Sequence, residues 1–407
     1  MWTVALQKIV RTTAQLPTAA DGVALAGTRD FPPLCVVVPA HNEEGEVAGL
    51  VASLKAQDHP GLRVVLALDR CADETRARAE AAIDGDARFE IVDIDHCPDD
   101  WAGKVHAAWS GVTRSSLAAA AHHLAFTDAD CRFDPACMRA TVALLQHRGL
   151  DFLSLHSDQS SRDWFERTAQ PTACMELLRQ YPLLRANRHD ANARPFANGQ
   201  FMLFRKPVYD DIGGHEHVRH HLLEDIVFSR VIRDTGHKGG LLASGGMLTC
   251  KMYDSWPEFR RGWKRIFTES ANRKSDRLRQ SAFRHRAVAS VLPVCALIGL
   301  LAWWPLWHHA EPWKLFGALA VHAWAVAAWA AASIAFARAG RIPWQTFPAW
   351  PLGGWLTAGI LIDAARDLER GTPTEWGGRV YDRTDRAADA TNTDAPKPVG
   401  VTEGGAA

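Results

Sequence analysis

Between Ala287 and Ile362 the chain carries only four charged side chains, Glu311, Lys314, Arg338 and Arg341, and nine of its sixteen tryptophans. Two uncharged runs, Ala287 to Trp307 and Leu315 to Ala337, are each about twenty residues long, the length an α-helix needs to cross the hydrocarbon core of a bilayer. Both are expected to be transmembrane helices. A third uncharged stretch, Ile342 to Ile362, contains Pro343, Pro348, Pro351, Gly353 and Gly354, which break a simple spanning helix. Arg284 and Arg286 precede the first run, Arg338 and Arg341 follow the second, and Arg366, Arg370 and Arg379 follow the third. An even number of crossings keeps all of these basic clusters on the cytoplasmic side. The expected membrane domain (287–365) therefore has two spans, with 342–362 re-entrant or interfacial. A cytosolic tail (366–407) follows, disordered from about Ala387, where Ala, Thr, Asp, Pro and Gly dominate.

The stretch before the first run is basic. Ten Lys and Arg residues between Arg260 and Arg286 face only Glu269 and Asp276. Trp256, Phe259, Trp263, Ile266 and Phe267 recur at spacings that share a helix face. Residues 255–286 thus read either as a basic amphipathic helix lying on anionic lipid, or as a charged helix whose aromatic face packs on the preceding domain.

From Phe31 to Met252 short β-branched runs alternate with amphipathic stretches, the pattern of strands feeding helices in an α/β sheet. The clearest strands are Leu34 to Val38, Val64 to Leu68, Glu90 to Ile94 and Leu124 to Thr127. Helices are expected over Val47 to Ala56, Asp73 to Ala82, Lys104 to Val112 and Pro135 to His147. Residues 31–254 form the expected catalytic domain, preceded by an N-terminal extension (1–30). Lys8 and Arg11 interrupt the only short apolar stretch at the front, so no secretory signal is read there. The eight cysteines include no C-x-x-C pair, which argues against a zinc ribbon or disulfide framework and fits a reducing compartment. Lys+Arg and Asp+Glu both number 46, so the overall charge gives no reason to expect a nucleic-acid partner.

Open α/β sheets bind ligands beyond the carboxyl ends of their strands, and the polar residues cluster there. The first strand runs into Pro39-Ala40-His41-Asn42-Glu43-Glu44, the second ends at Asp69, and the fourth meets Asp128-Ala129-Asp130. Two carboxylates two residues apart offer hard oxygen ligands for Mg2+ or Mn2+ on phosphates. A calcium loop fails, since Phe133 and Arg139 stand where that motif needs Gly and Glu. Glu224-Asp225 heads an apolar run, where acids either complement a helix N-terminus or supply a general base. Lys104 begins a helix at a position where a cation can meet a diphosphate. His215, His217, His220 and His221 lack H-E-x-x-H spacing and have no cysteine near in sequence, so zinc is not expected there. Neither G-x-G-x-x-G after the first strand nor a P-loop is present, which removes the main support for dinucleotide oxidoreductases and P-loop NTPases.

Taken in order, these pieces resemble glycosyltransferase family 2, with its GT-A fold, over roughly residues 34 to 280. Val36 to Glu44 looks like that family's opening strand and loop, Asp69 its nucleoside-contacting acid, Asp128-Ala129-Asp130 its metal-binding D-x-D, and Glu224-Asp225 its catalytic-base motif. Ala197-Asn198-Gly199-Gln200-Phe201-Met202 and Ile212-Gly213-Gly214-His215-Glu216 are similar to acceptor-side segments of the branch that glycosylates lipids of carotenoid, hopanoid-associated and ceramide types. Trp376-Gly377-Gly378-Arg379-Val380-Tyr381 resembles that branch's tail motif. The resemblance implies an α/β GT-A nucleotide-sugar fold with a mixed, mainly parallel sheet, inversion at the anomeric carbon, and a UDP-linked donor. It further implies Mg2+ or Mn2+ on Asp130 and Asp128, and Asp225 as catalytic base. Substrate contacts are implied for Pro39, His41, Asn42, Glu43, Asp69, Lys104, Asp128, Gly199, Gln200, His215, Glu224 and Trp263. The acceptor would be a membrane lipid, with the catalytic domain at the cytoplasmic face of the inner membrane. Processive synthases carry Q/R-x-x-R-W where this chain has Phe259-Arg260-Arg261-Gly262-Trp263, a departure that favours a single transfer. The rival readings are a polysaccharide or surface-glycan synthase and a non-catalytic membrane scaffold.

Overall fold

The computed structural model describes residues 1–27, 31–306, 312–377 and 379–382. Trp307, Glu311, Gly378 and the tail expected to be disordered from Ala387 lie outside the described residues. Among the described residues there are twelve strands: β1 (Leu34–Ala40), β2 (Leu62–Asp69), β3 (Phe89–Ile94), β4 (His123–Phe126), β5 (Cys131–Phe133), β6 (Phe152–His156), β7 (Asp158–Gln159), β8 (Met202–Arg205), β9 (Gly239–Ala243), β10 (Leu248–Cys250), β11 (Thr374–Trp376) and β12 (Arg379–Tyr381).

Seven of them form one sheet in the order β3-β2-β1-β4-β8-β6-β9. All neighbours run parallel except β8, which is antiparallel to both β4 and β6. The interior strand β1 reads LCVVVPA and is buried at every position, as a strand covered on both faces must be. Its side chains alternate between two cores: Val36 and Val38 join Leu50, Leu66 and Met138 on one face, and Cys35 and Val37 join Val65, Val105 and Phe126 on the other. The parallel register sets Ala40 beside Leu68 and Asp69 beside Ile94. The loops after β1, β2 and β4 therefore open on one edge.

The 255–286 region resolves into two helices, Trp256–Ser270 and Ser275–Arg284. The aromatic stripe of the first turns inward, with Phe259, Trp263, Ile266 and Phe267 buried together with Leu278, Ala358, Leu361 and Leu368. Three cations of the two helices are also engaged within the protein: Arg260 meets Asp363 at 2.7 Å, Lys264 meets Asp367 at 2.5 Å, and Arg279 meets Glu369 at 2.6 Å. This corrects the lipid-facing alternative for the aromatic stripe. Periodicity reports an apolar face but not what covers it, and here the cover is the helix Trp350–Arg370.

That helix also corrects the re-entrant expectation for 342–362. After a 3-10 turn (Trp344–Ala349), Pro351 occupies the first helical turn, where no intrahelical N–H is required. The helix then runs unbroken to Arg370, amphipathic and docked on the α/β unit. Gly353 makes the contact possible, because a Cβ there would sit 1.9 Å from the Thr168 carbonyl oxygen. One turn on, the hydroxyls of Thr357 and Thr172 are hydrogen-bonded at 2.7 Å.

Among the described residues two stretches are long and apolar enough to cross a membrane, Ser275–Ala302 and Phe316–Ala339. The first continues Ser275–Arg284 through a π-helical segment (His285–Val291) into Leu292–Leu306, so the helix starts well before Ala287. Large apolar side chains stand outward along both, among them Ile298, Leu301, Phe316 and Trp324. The N-terminal segment is built into the fold. Its helix Trp2–Gln15 packs along Pro312–Ala339, and residues 17–19 pair with the outer strand β9 through Ala243 N–H to Pro17 O (3.0 Å) and Ala19 N–H to Ala243 O (2.8 Å).

Candidate active site

The strand-end loops, the loop before β8 and two helices enclose a cleft of about 390 Å3. Pro39, His41, Glu43, Asp69, Lys104, Asp128, Asp130, Gly199, Gln200, Glu224, Asp225 and Trp263 all line it. Of the positions implied by resemblance, Asn42 and His215 do not.

Each loop is tied to its neighbour. The His41 Nδ1 lies 2.6 Å from the Asp69 carbonyl oxygen, and the Glu43 N–H donates to Thr75 Oγ1 at 2.7 Å. Asn42 sits in the left-handed region (φ 56°), and its Oδ1 accepts from the Ala72 N–H at 2.9 Å. Asn42 therefore braces two loops against each other instead of facing a ligand. The buried Asp69 carboxylate accepts a two-pronged pair of hydrogen bonds from Arg70, at 2.9 and 2.7 Å.

The acids behind β1 and β4 crowd one another. Burial pushes the Glu43 carboxyl up to about 8, and the charges of Asp130 and Asp128 add to it. Burial likewise raises Asp130 to about 7, reinforced by Asp128 and opposed by hydrogen bonds from the Cys250 and Cys131 thiols. Such a cluster is short of positive charge, and its all-oxygen cleft side suits a hard divalent ion.

Lys104 links this cluster to the opposite wall. Its ammonium is 2.7 Å from Asp128 and 3.0 Å from Glu224. Burial works against its charge, but Asp128 and Glu224 outweigh that and hold it protonated. For Glu224, burial favours the neutral acid, yet Lys104 prevails and keeps it ionised below its ordinary range. Glu224-Asp225 opens the helix Glu224–Asp234 as the sequence suggested. The Asp225 Oδ2 accepts from the Gly199 N–H and Oδ1 from its neighbour Ile226 N–H, both at 2.7 Å. Burial, then the adjacent Glu224 charge, raises the Asp225 carboxyl to about 7. Gly199 leaves room for this meeting: a Cβ there would lie 3.2 Å from Lys104 Nζ and 3.3 Å from Asp225 Oδ2. Gln200 is held beneath by Ser157, Gln159 and Asn198.

His215 is a correction. Its ring packs 4.4 Å from Phe126 and 4.9 Å from Phe228, and its Nδ1 hydrogen-bonds Tyr209 Oη at 2.8 Å. Burial drops its pKa to about 3, so it is a neutral core histidine. Its position in a Gly-Gly-His-Glu stretch gave no sign of that.

Arg265, Trp376 and Tyr381 line the cleft without having been singled out. The β11–β12 hairpin brings the last two across the chain. The Gly103 N–H donates to Tyr381 Oη at 3.2 Å, and the Arg379 guanidinium donates to the carbonyls of Cys97 (3.2 Å) and Pro98 (2.9 Å). The Arg265 guanidinium lies 3.7 Å over the Trp376 ring, a cation–π contact. The tail motif marked this segment but assigned it no site. The remaining wall, with Leu177, Phe196, Leu223, Ile226, Trp263 and Ile266, is apolar.

A family model described as "Glycosyltransferase like family 2" matches residues 32–242, and one described as "Glycosyl transferase family 21" matches residues 183–381. No curated protein matches the chain. Among solved structures, the chain is similar to the mannosyltransferase PcManGT from Pyrobaculum calidifontis in complex with GDP-Man and Mn2+, at 14% identity and TM-score 0.45, over 90% of this chain and 98% of that one. It is also similar to residues 1–349 of S. aureus TarS in complex with UDP, at 13% identity and TM-score 0.40, over 86% and 96%. A third is glucosyl-3-phosphoglycerate synthase from Mycobacterium tuberculosis in complex with Mn2+, UDP and glucosyl-3-phosphoglycerate, at 19% identity and TM-score 0.38, over 63% and 84%.

Proposed function

The chain belongs to the glycosyltransferase-like family 2 and is a glycosyltransferase of GT-A fold, and from that premise we propose that it transfers one sugar, with inversion, from a UDP-linked donor to a membrane lipid at the cytoplasmic face of the inner membrane. The observation that carries the reading is the sharing of one cleft by Asp69, the Asp128/Asp130 pair and Asp225, with Lys104 joining the donor side to the base side.

In this reading Asp69 takes the nucleobase edge, and Asp128 and Asp130 would hold Mg2+ or Mn2+. A divalent cation would relieve the crowding that raises Glu43 and Asp130, and the oxygen donors suit either ion. When bound, the ion supplies charge neutralisation for the departing diphosphate. Asp225 removes the proton from the acceptor hydroxyl, and a carboxyl raised to about 7 is matched to that task. The Gly199 N–H fixes Oδ2 and leaves the base one settled orientation. Lys104 keeps Glu224 ionised, and Glu224 in turn keeps Asp225 basic.

The apolar wall beside Asp225 favours an acceptor with hydrocarbon near its reacting hydroxyl. Ser275–Ala302 and Phe316–Ala339 then form a membrane hairpin, with Trp350–Arg370 lying between it and the catalytic unit as an interfacial element. Mass spectrometry of lipid extracts tests the proposal. Cells carrying the intact chain should hold one lipid class heavier by a sugar residue, and cells carrying Asp225→Asn should not. If both extracts are identical, the lipid acceptor is refuted.

A further inference from the structure

Asp130 has a second side. Behind the cleft it meets Cys131, the first residue of β5, and Cys250 on β10, which is Cys131's cross-strand partner in an antiparallel pair. The Lys251 N–H donates to the Asp130 carbonyl at 3.2 Å, so the adjacent Cys131/Cys250 pair takes the non-hydrogen-bonded position of the ladder. Facing side chains approach most closely there. Both cysteines are fully buried. The Cys131 Sγ lies 3.7 Å from Asp130 Oδ1. The two sulfurs and a carboxylate oxygen all lie within 4.8 Å of one another, and among the described residues no other trio of His, Cys, Asp and Glu ligands gathers so closely.

We propose that Asp130, Cys131 and Cys250 form a site for a thiophilic divalent cation of the zinc class, and that filling it withdraws Asp130 from the donor side of the cleft. Tetrahedral zinc with Zn–S bonds of ~2.3 Å sets its ligands roughly 3.8 Å apart. The trio reaches that spacing by contracting about 1 Å or less, within the range of cysteine side-chain rotation on fixed strands. Each thiol gives its proton to solvent as its sulfur binds the ion, and the carboxylate contributes one oxygen. The half-buried Asp130 is the entry path, and the fourth coordination position stays open to the cleft. Hard and soft ions separate by chemistry: Mg2+ and Mn2+ prefer the oxygens of Asp128 and Asp130, and zinc prefers the two sulfurs.

The site itself stands on these three ligands alone. Its effect on turnover rests on Asp130 serving the donor metal, as proposed above. The test is Co2+ titration of the purified full-length protein without nucleotide, followed by absorption. A thiolate-to-cobalt charge-transfer band should appear, be displaced by one equivalent of Zn2+, survive Cys295→Ala at the exposed cysteine, and vanish in Cys250→Ala and in Cys131→Ser. Zn2+ should also inhibit sugar transfer in the presence of excess Mn2+. Either cysteine variant should lose at least the roughly 10–100-fold in zinc sensitivity that removing even an outer partner costs a metal site. The wild-type band requires no variant to fold. Its absence, or its persistence in both cysteine variants, overturns the site. A cysteine-dependent band without inhibition upholds the site and overturns only the shared role of Asp130.

Discussion

The two walls of the cleft are made by opposite strategies. The donor wall comes from short loops at the ends of neighbouring parallel strands, so His41, Glu43, Asp69, Asp128 and Asp130 are brought together by the register of one sheet. The other wall is assembled from the helix bearing Asp225, the aromatic helix Trp256–Ser270 and a hairpin whose Tyr381 reaches Gly103. The first wall is crowded with acids, and the second sets Glu224, Asp225 and Arg265 against an apolar surface. Chemistry on the donor side should therefore fail through metal and protons, and on the other side through positioning.

The sharpest break is Asp225→Asn, which preserves shape but removes the proposed base. Turnover should fall ~10²–10⁴-fold, with UDP binding by calorimetry unchanged. Asp130→Ala should act on the opposite wall and abolish the Mn2+-dependent part of nucleotide binding in the same calorimeter. Protons separate the walls next. Glu43 and Asp130 sit high, near 8 and 7, mainly through burial, and a cation must displace those protons. Mn2+-dependent UDP binding should therefore strengthen from pH 6 to pH 8, by up to ~10-fold per pH unit for each proton released. On the base side, turnover at saturating donor and metal should decline as pH falls through about 7, because a raised carboxyl regains its proton there. A flat profile would remove Asp225 as the base.

Smaller effects belong to the helical wall. Trp376→Ala removes the ring beneath Arg265, worth ~0.5–1 kcal/mol when exposed, so acceptor KM should rise a few-fold with kcat little altered. Smallest is the Arg279–Glu369 pair, both partners partly exposed. Arg279→Ala should barely move the thermal unfolding midpoint, because water screens an exposed pair; a clear drop would show the pair to be more protected than its exposure implies.

The same contrast governs what could be read in advance. Asp69, Asp128 and Asp130 were legible because a polar residue ending an apolar run is a local signal, and parallel strands bring such ends together. Asp225 was legible as an acid at a helix start. His215 was not, since its neighbours Phe126 and Phe228 come from other elements. The aromatic stripe from Trp256 to Phe267 shows one period whether lipid or protein covers it, and only the helix Trp350–Arg370 decides between them. No local pattern could tell that Tyr381 closes against Gly103.

The pairing of residues 17–19 with Ala243, and of helix Trp2–Gln15 with Pro312–Ala339, bears on how the molecule comes into being. A ribosome makes the first segment long before either partner exists, so it must wait, unsheltered, until β9 and then the helix Pro312–Ala339 have been made. Final closure of the sheet's outer edge is then a late event in the making of the molecule. A chain stalled before that moment would offer a bare strand to its neighbours.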